Sequence, residues 1–419
     1  MKLIPTGIES FKEIFDKNYY YVDKTNLIQD VLNEKVVLYT RPRRFGKTLN
    51  MSMLYYFFSI KEKENAYLFD GLNISKNKEA LKHQNNYPMI FISLKDMKNS
   101  SFKTQLSAFS NIIYELLEKN LELLSSTRLT QETKKILNIL HNRTASIEDL
   151  NFSLRMISNA LCTHYSSKVI ILIDEYDVPL QSAYQYNYYD EMVEFLRSVF
   201  SSALKTNDAL EKGIMTGCLR ISKESIFTGL NNFTSYSILN NIGNEYFGFT
   251  EKEVLQLLKD YNLTDYIDEV KEWYDGYLFG NIEIYNPWST LMYVNCKLSS
   301  FDNKPISFWA NTSGNDPVVN YIQNGSDELH EEFEQLIQGK SLTKYIKPEL
   351  TYREMDNINN IYSFLLLTGY LKIKEDLGEN QYKLIIPNKE VYEIYKQTFM
   401  SYFEDYTFVR KEDLYQNLV

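Results

Sequence analysis

The chain has 419 residues, of which 44% are hydrophobic and 24% charged, and its formal net charge is -10. This length and composition predict a globular protein of about two domains, and the acidic balance argues against a chain built to coat nucleic acid or anionic membranes. The N-terminus lacks a signal peptide and no apolar stretch is long enough to span a bilayer, so we expect a cytoplasmic protein.

The first half of the chain alternates between strand-like and helix-like segments. Short β-branched runs bounded by polar residues predict buried parallel strands at 36–40, 88–94, 169–173 and 214–216. Apolar residues three and four apart predict helices at 49–60, 102–124, 147–165 and 192–205. This alternation predicts a three-layer α/β sandwich around a parallel sheet.

The pattern changes near residues 246–249, which predicts domains at 1–245 and 246–419. Thr250 and Glu253 have the spacing of a helix capping box, and Phe249 could pack against Val254. The second domain is predicted to be mainly helical. A helix-like run at 361–368, followed by strand-like segments at 370–373 and 382–386, predicts a winged-helix-like portion.

A basic motif lies directly between the first predicted strand and the helix that follows it. It ends in Gly46-Lys47-Thr48, and a glycine-lysine-threonine sequence in this context predicts the phosphate-binding loop of a P-loop NTPase. Backbone N–H groups and Lys47 would hold the β and γ phosphates of ATP, and the Thr48 hydroxyl would bind Mg²⁺. The predicted nucleotide-binding residues are Arg43, Arg44, Phe45, Gly46, Lys47, Thr48 and Leu49.

The loop departs from the usual G-x-x-x-x-G-K-[ST] pattern at its first position. Arg41 stands where the first glycine is expected, and Pro42 follows it. The turn must therefore be built differently, with Pro42 restricting the backbone and Arg43 and Arg44 adding charge near the polyphosphate.

The predicted strand at 169–173 leads into acidic residues, as in a Walker B motif. Asp174 would support Mg²⁺, and Glu175, whose side chain points in another direction, would activate water. ATPases with such a glutamate insert a strand between the two motifs in their sheet, and the run at 88–94 is our candidate. Thr216 and Arg220 are candidate sensors of the γ-phosphate, and for Arg220 an equal alternative is that it satisfies nearby carbonyls or carboxylates. Asp177 is expected to be structural.

Other chemistries find less support. No Asn-Lys pair is followed by the aspartate of a guanine-reading Asn-Lys-x-Asp segment, and the cysteines and histidines are scattered rather than spaced as zinc ligands. A Glu-x-Lys spacing at 269–271 lies in a helical pattern and not on the strand of a nuclease. Residues 345–419 contain 9 Lys/Arg and 12 Asp/Glu, which disfavours nucleic-acid binding by the winged-helix-like portion.

Together these motifs resemble those of the predicted AAA-ATPase-like family of bacterial proteins, which often carry a PD-(D/E)XK nuclease-like domain further C-terminal. The segments that carry the resemblance, besides the phosphate loop and the acidic strand, lie at 4–7, 21–25, 216–217, 247–250, 273–277, 285–288 and 368–371. The resemblance implies an AAA+/STAND-like ATPase core followed by a helical and winged-helix-like region, with residues 21–25 near the adenine base or the nucleotide entrance. No nuclease motif follows Pro387, so nuclease activity is not expected.

The sequence therefore predicts a Mg²⁺-dependent ATPase that acts as a conformational switch, and a protein partner or self-association is expected. An alternative is a nucleotide-gated scaffold with little hydrolysis, which the altered loop at Arg41 and Pro42 would suit. A small-molecule kinase is a weaker alternative, because the adjacent Asp174 and Glu175 favour hydrolysis.

Overall fold

A five-stranded parallel sheet forms the centre of the first half of the protein. The computed structural model describes residues 1–220, 233–299, 304–309, 321 and 325–401. The strands are β1 (Val36–Thr40), β2 (Met89–Ser93), β3 (Val169–Asp174), β4 (Leu210–Gly217) and β5 (Phe233–Tyr236), in the sheet order β2-β3-β4-β1-β5. Every residue of β1 and β3 is buried, which requires cover on both faces of the sheet. The predicted three-layer α/β fold is confirmed.

Helices connect the strands and cover the sheet. The α-helices of this half are α1 (Phe11–Asp16), α2 (Leu27–Asn33), α3 (Lys47–Phe58), α4 (Lys78–Leu81), α5 (Phe102–Glu118), α6 (Glu122–Ser125), α7 (Gln131–His141), α8 (Ile147–Tyr165), α9 (Val178–Gln185) and α10 (Tyr189–Leu204). A 3₁₀-helical segment with a kink at Glu62 lies at Ile60–Phe69, and a short 3₁₀ helix lies at Asn73–Lys76. The single helix predicted at 102–124 is divided into α5, which ends at Glu118, and α6, and between them the Asn120 side-chain amide donates to the Leu116 carbonyl oxygen at 2.7 Å.

The strand inserted between β1 and β3 in the sheet is β4, so the prediction that 88–94 takes this place is wrong. Strand β2 pairs with β3 at one edge of the sheet. Chain order does not determine sheet order in a parallel sheet, because each strand is joined to the next by a crossover. Strand β4 is also longer than the predicted 214–216, because its backbone pairs with β3 from Leu210 onward. The Lys212 amine in this added part donates to the carbonyl oxygens of Leu32 and Glu34.

The C-terminal region, by which we mean the described residues from 246 onward, combines helices with two small sheets. The helices are α11 (Glu251–Asp260), α12 (Ile267–Tyr274), α13 (Pro287–Ser299), α14 (Asp327–Ile337), α15 (Ile358–Leu367) and a helix at 389–401, with 3₁₀ helices at Thr264–Tyr266 and Tyr352–Asp356. Strands β6 (Phe249–Thr250), β7 (Tyr277–Phe279) and β8 (Ile282–Tyr285) form one sheet, and β9 (Leu342–Tyr345), β10 (Lys372–Gly378) and β11 (Gln381–Ile385) form the other.

Helix α15 and the antiparallel β10–β11 hairpin match the predicted winged-helix-like portion. One hydrophobic core extends from the large sheet into this portion and includes Tyr277, Phe333 and Tyr362, whereas a second core lies around α11–α13. The division between residues 245 and 246 stays a prediction, and part of the predicted second domain, including 402–419, lies outside the described residues.

Helix α11 begins as its sequence predicts. The Thr250 hydroxyl accepts from the Glu253 amide, and the Glu253 carboxylate accepts from the Thr250 amide, so the capping box is confirmed. Phe249 and Val254 are buried in the same core. Within the part of the chain that the structure describes, no helix combines the length and apolar character needed to cross a membrane.

Candidate functional site

The loop between β1 and α3 has the geometry of a phosphate-binding loop. Gly46 caps α3 with a φ of 79°, a left-handed conformation that glycine adopts without strain, and Lys47 begins the helix. The first amides of α3 have no partner within the helix and form, with the helix dipole, a site suited to an anion. The predicted phosphate-binding loop therefore leads directly into the N-terminus of α3, where an anion would be stabilised.

Lys47 lies beneath the loop and is 3% exposed. Its amine donates to the carbonyl oxygens of Arg41 at 3.1 Å and Pro42 at 3.0 Å, and lies 3.9 Å from the Glu175 carboxylate. Burial lowers the pKa of Lys47, but the neighbouring Cys218 and the carboxylates around it raise the pKa, and the balance is above the ordinary value. Lys47 is therefore a positive charge held at the loop.

Arg41, which replaces the first glycine, has a structural role. Its fully buried guanidinium donates to the carbonyl oxygens of Thr40 at 2.8 Å, Tyr236 at 2.7 Å and Gly243 at 3.1 Å. It also lies over the ring of Phe247, 5.2 Å from the centroid. The side chain thus joins β1 to the segment after β5, and the loop obtains from these contacts the fixed geometry that a glycine turn would otherwise supply.

Asp174 is fully buried at the end of β3 and brings two of the predicted residues together. Its carboxylate accepts from the Thr48 hydroxyl at 2.7 Å and from the Thr216 hydroxyl. Burial raises the pKa of this carboxyl group, while the Thr216 hydrogen bond opposes the increase. Thr216, at the end of β4, therefore contacts the acidic residue rather than facing open space.

Thr48 and Asp174 are the residues that could hold Mg²⁺. Among the described residues, no group of three or more His, Cys, Asp or Glu could hold a metal by itself. Mg²⁺ in nucleotide sites takes one or two protein oxygens and completes its shell with phosphates and water, so a hydroxyl and a carboxylate oxygen 2.7 Å apart fit this ion when nucleotide accompanies it.

Glu175 adopts a backbone conformation that is uncommon for its residue type. Its φ is 53°, in the left-handed region, directly after the strand that carries Asp174. The Glu175 side chain is 23% exposed and faces the same cavity as the phosphate loop. The two adjacent carboxylates are therefore in different surroundings, one buried against Thr48 and one open to a ligand.

Asp177 is buried and accepts from the backbone amides of Cys218 at 3.0 Å and Leu219 at 3.1 Å. Burial raises the pKa of Asp177 to about 6, with a further contribution from Glu175. These contacts agree with the structural role predicted for it.

A cavity of about 380 Å³ lies in front of the loop, within the usual size range of ligand sites. All seven predicted nucleotide-binding residues line it, as do Glu175 and Tyr21. Asp174 and Thr216 do not line the cavity, but Asp174 is hydrogen-bonded to Thr48, which does, and Thr216 is hydrogen-bonded to Asp174. Arg220 is not among the residues that line the cavity, and its guanidinium pairs with Glu349 at 2.5 Å.

Three of the lining side chains from the loop make further contacts. Arg43 donates to the Gln181 amide oxygen at 2.8 Å. The fully buried Phe45 ring contacts the ring of Tyr277, with 4.9 Å between centroids. Arg44 lies over the indole ring of Trp288, 4.5 Å from its centroid. Through Phe45 and Arg44 the loop contacts the C-terminal region directly.

Some residues that line the cavity were not predicted from the sequence. Lys95 and Lys98 follow β2, and Lys95 pairs with Glu9 at 2.6 Å. They could have been found, because ligands in parallel α/β sheets bind beyond the carboxyl ends of the strands. Trp288, from the C-terminal region, carries no local signal of this kind.

The sheet order and the two motifs define a P-loop NTPase of the class that has a strand between its phosphate loop and its acidic strand. Residues 5–227 match the family described as Predicted AAA-ATPase, and the chain belongs to this family. Family membership indicates nucleotide binding. The chain is also 27% identical over 300 residues to "Uncharacterized protein in vnfD 5'region" of Azotobacter chroococcum mcd 1, covering 70% of this chain and 51% of that protein. The chain thus spans about half the length of this curated relative.

Proposed function

We propose that the protein is a Mg²⁺-dependent ATPase that acts as a conformational switch. The observation that carries this proposal is the convergence of Lys47, Thr48 and Glu175 on one cavity, with Asp174 bonded to Thr48 behind it. Each of these side chains has a charge or hydrogen-bonding group suited to one part of a Mg²⁺–ATP complex.

Each residue has a distinct task in this proposal. The amides of the loop and Lys47 bind the β and γ phosphates, whose oxygens replace the Arg41 and Pro42 carbonyls as acceptors for the lysine. Thr48 and Asp174 hold Mg²⁺, which when bound neutralises charge on the phosphates. Glu175 accepts a proton from the attacking water, a role for which its partial exposure and its position beside Lys47 are suited.

ATP is proposed as the nucleotide because no guanine-reading Asn-Lys-x-Asp segment occurs in the sequence. The division into domains at 1–245 and 246–419, a cytoplasmic location and a protein partner or self-association belong to the same proposal. In it, the C-terminal region conveys the nucleotide state to that partner.

The test compares wild type, Lys47→Ala and Glu175→Gln for binding and hydrolysis of ATP and GTP in the presence of Mg²⁺. Lys47→Ala should lose binding, whereas Glu175→Gln should bind ATP and lose turnover. Lys82→Ala and Glu79→Gln alter an exposed ion pair and serve as matched controls. Equal ATP binding by wild type and Lys47→Ala would refute the site, and unchanged turnover in Glu175→Gln would refute the role of the glutamate.

A nucleotide-gated scaffold with little hydrolysis is the second candidate. It is favoured by the unusual loop, in which the buried Arg41 replaces glycine and Lys47 is bonded to two loop carbonyls. This candidate predicts Lys47-dependent ATP binding with equally low turnover in wild type and Glu175→Gln.

A further inference from the structure

An ion pair on the wall of the cavity joins two segments that the proposed function does not use. The Lys95 amine lies 2.6 Å from the Glu9 carboxylate, and both residues line the same cavity as the phosphate loop. Their side chains are 42% and 54% exposed. Exposed ion pairs contribute little to stability, so a ligand that carries more negative charge can displace the glutamate from the lysine.

The backbone places Lys95 beside the acidic strand. Strand β2 pairs with β3 as far as Ser93 and Asp174, and the Leu94 amide then donates to the Asp174 carbonyl oxygen at 2.9 Å. Lys95 is the next residue, and adjacent strands lie about 4.8 Å apart, a distance that a lysine side chain can span. The hydrogen bond with Glu9 raises the pKa of Lys95, and the charge of the Asp174 carboxylate adds to this increase. Lys95 is therefore a positive charge near the proposed Mg²⁺ site.

Glu9 lies among cations, as an anionic ligand would. Its carboxylate pairs with Lys95, and it also acts on Arg44 of the phosphate loop. Burial lowers the pKa of Arg44, and the charge of Glu9 opposes this decrease. A terminal phosphate carries more negative charge than a carboxylate and offers three acceptor oxygens, so it would be the stronger partner for the Lys95 amine.

The two residues predicted as γ-phosphate sensors have partners within the protein. The Thr216 hydroxyl donates to the buried Asp174, and Arg220 pairs with Glu349. Building on the proposed function, we propose that Lys95 distinguishes ATP from ADP by donating to the γ-phosphate in place of Glu9. ADP lacks this phosphate, so Lys95 stays paired with Glu9 when ADP is bound.

Release of Glu9 would reach the C-terminal region through the N-terminal segment, by which we mean residues 2–9. Ile4 in this segment is buried in the core around α11–α13. The Lys2 carbonyl oxygen accepts from the hydroxyl of Tyr261, the residue after α11, at 2.8 Å. Exchange of Glu9 for the γ-phosphate therefore changes a contact of a segment that is attached to the C-terminal region.

The test measures affinities calorimetrically, with Mg²⁺ present, for ADP and for the β,γ-imido analogue of ATP, which is not hydrolysed. Lys95→Met keeps the length of the side chain without its charge, and it should weaken binding of the analogue about tenfold or more while ADP affinity stays within about twofold. Glu9→Gln removes the competing carboxylate and should strengthen binding of the analogue by up to about fivefold, with ADP affinity unchanged. This gain should disappear when Glu9→Gln is combined with Lys95→Met.

Lys389 and Glu272 provide a matched control, because they form an ion pair of 3.1 Å with side chains 41% and 58% exposed, and neither residue lines the cavity. Lys389→Met and Glu272→Gln should bind both nucleotides as wild type does, and circular dichroism verifies that each variant is folded.

Three results would contradict the proposals. Lys47-dependent binding in which Lys95→Met leaves the ratio of the two affinities unchanged would overturn the assignment of Lys95 and leave the proposed function intact. A Glu9→Gln variant whose affinity for the analogue does not rise would overturn the competition between Glu9 and the γ-phosphate. A wild type that binds neither nucleotide would overturn the proposed function together with this inference.

Discussion

Replacing Arg41 with glycine restores the usual phosphate-loop pattern, and we expect this change to destabilise the protein rather than to improve nucleotide binding. The Arg41 side chain is fully buried and donates to three carbonyl oxygens, and it lies over the rings of Phe247 and Phe279. Arg41 is not among the residues with a positive φ, so its backbone does not need the freedom of glycine.

The magnitude follows from these contacts. Each hydrogen bond from a charged donor contributes about 1.5–3 kcal/mol, and each cation–π contact contributes about 1 kcal/mol. Removing the buried charge recovers several kcal/mol of its desolvation cost, whereas glycine adds about 1 kcal/mol of backbone entropy to the unfolded state. We therefore expect Arg41→Gly to lower the free energy of unfolding by about 3–5 kcal/mol.

Urea unfolding measures this loss, and calorimetry measures ATP affinity under conditions in which the variant remains folded. Arg41→Met fills much of the same volume without hydrogen bonds, so it should lose less stability than Arg41→Gly. Arg143→Gly is a useful control, because Arg143 is exposed and has a φ of 58° that glycine adopts freely. The interpretation is refuted if Arg41→Gly unfolds within about 1 kcal/mol of wild type, or if it binds ATP more tightly.

Three further changes test other contacts. Burial raises the pKa of Glu390 from 4.5 to about 7, so the contribution of this group to stability is greatest below pH 4.5 and decreases as pH rises through 7. Glu390→Gln should therefore remove a decrease in stability on the order of 3 kcal/mol from this part of a pH–stability curve. A curve that the substitution leaves unchanged would contradict the assignment. Lys24 is 7% exposed and donates to both Glu253 oxygens at 2.6 Å, so Glu253→Gln, which leaves the buried ammonium without a counter-charge, should lower stability by about 2–4 kcal/mol in thermal unfolding. Lys24→Met should lower it less, because the Glu253 carboxylate that remains is 25% exposed. Thr48→Val removes the hydroxyl beside Asp174 and should abolish the increase in ATP affinity that Mg²⁺ causes, which a titration with and without Mg²⁺ detects; an unaltered increase would exclude Thr48 as a ligand.

Local sequence signals predicted the first half of the fold well because they act over a few residues. Strand β1 and helix α8 have the predicted bounds, and α8 begins with a capping box between Ser146 and Asp149. The phosphate loop and the acidic strand were likewise recognisable, since each depends on consecutive residues next to one strand. Their meeting through Thr48 and Asp174 followed from the parallel sheet, in which strand ends share one edge.

Features that depend on distant parts of the chain were not predictable in this way. Strand β4 is central because it pairs with both β1 and β3, which are distant from it in the sequence. The pairing of Arg220 with Glu349 likewise joins residues from separate parts of the chain. Trp288 lines the cavity because α13 packs close to the phosphate loop, and no spacing near residue 288 indicates this. Such residues are found only when the three-dimensional arrangement is known.

The unusual loop and its contacts with the C-terminal region have one physical explanation. A glycine in the first position would leave the loop geometry to the backbone, whereas here Arg41 and Phe45 fix it through contacts with the ring of Phe279. Gly248 makes the approach of Phe45 possible, because an added Cβ would lie 3.0 Å from the Phe45 ring and 2.2 Å from Ile284. The conformation of the phosphate loop is thus determined partly by β7 and β8, so any ligand that shifts the loop must also alter its packing against the C-terminal region.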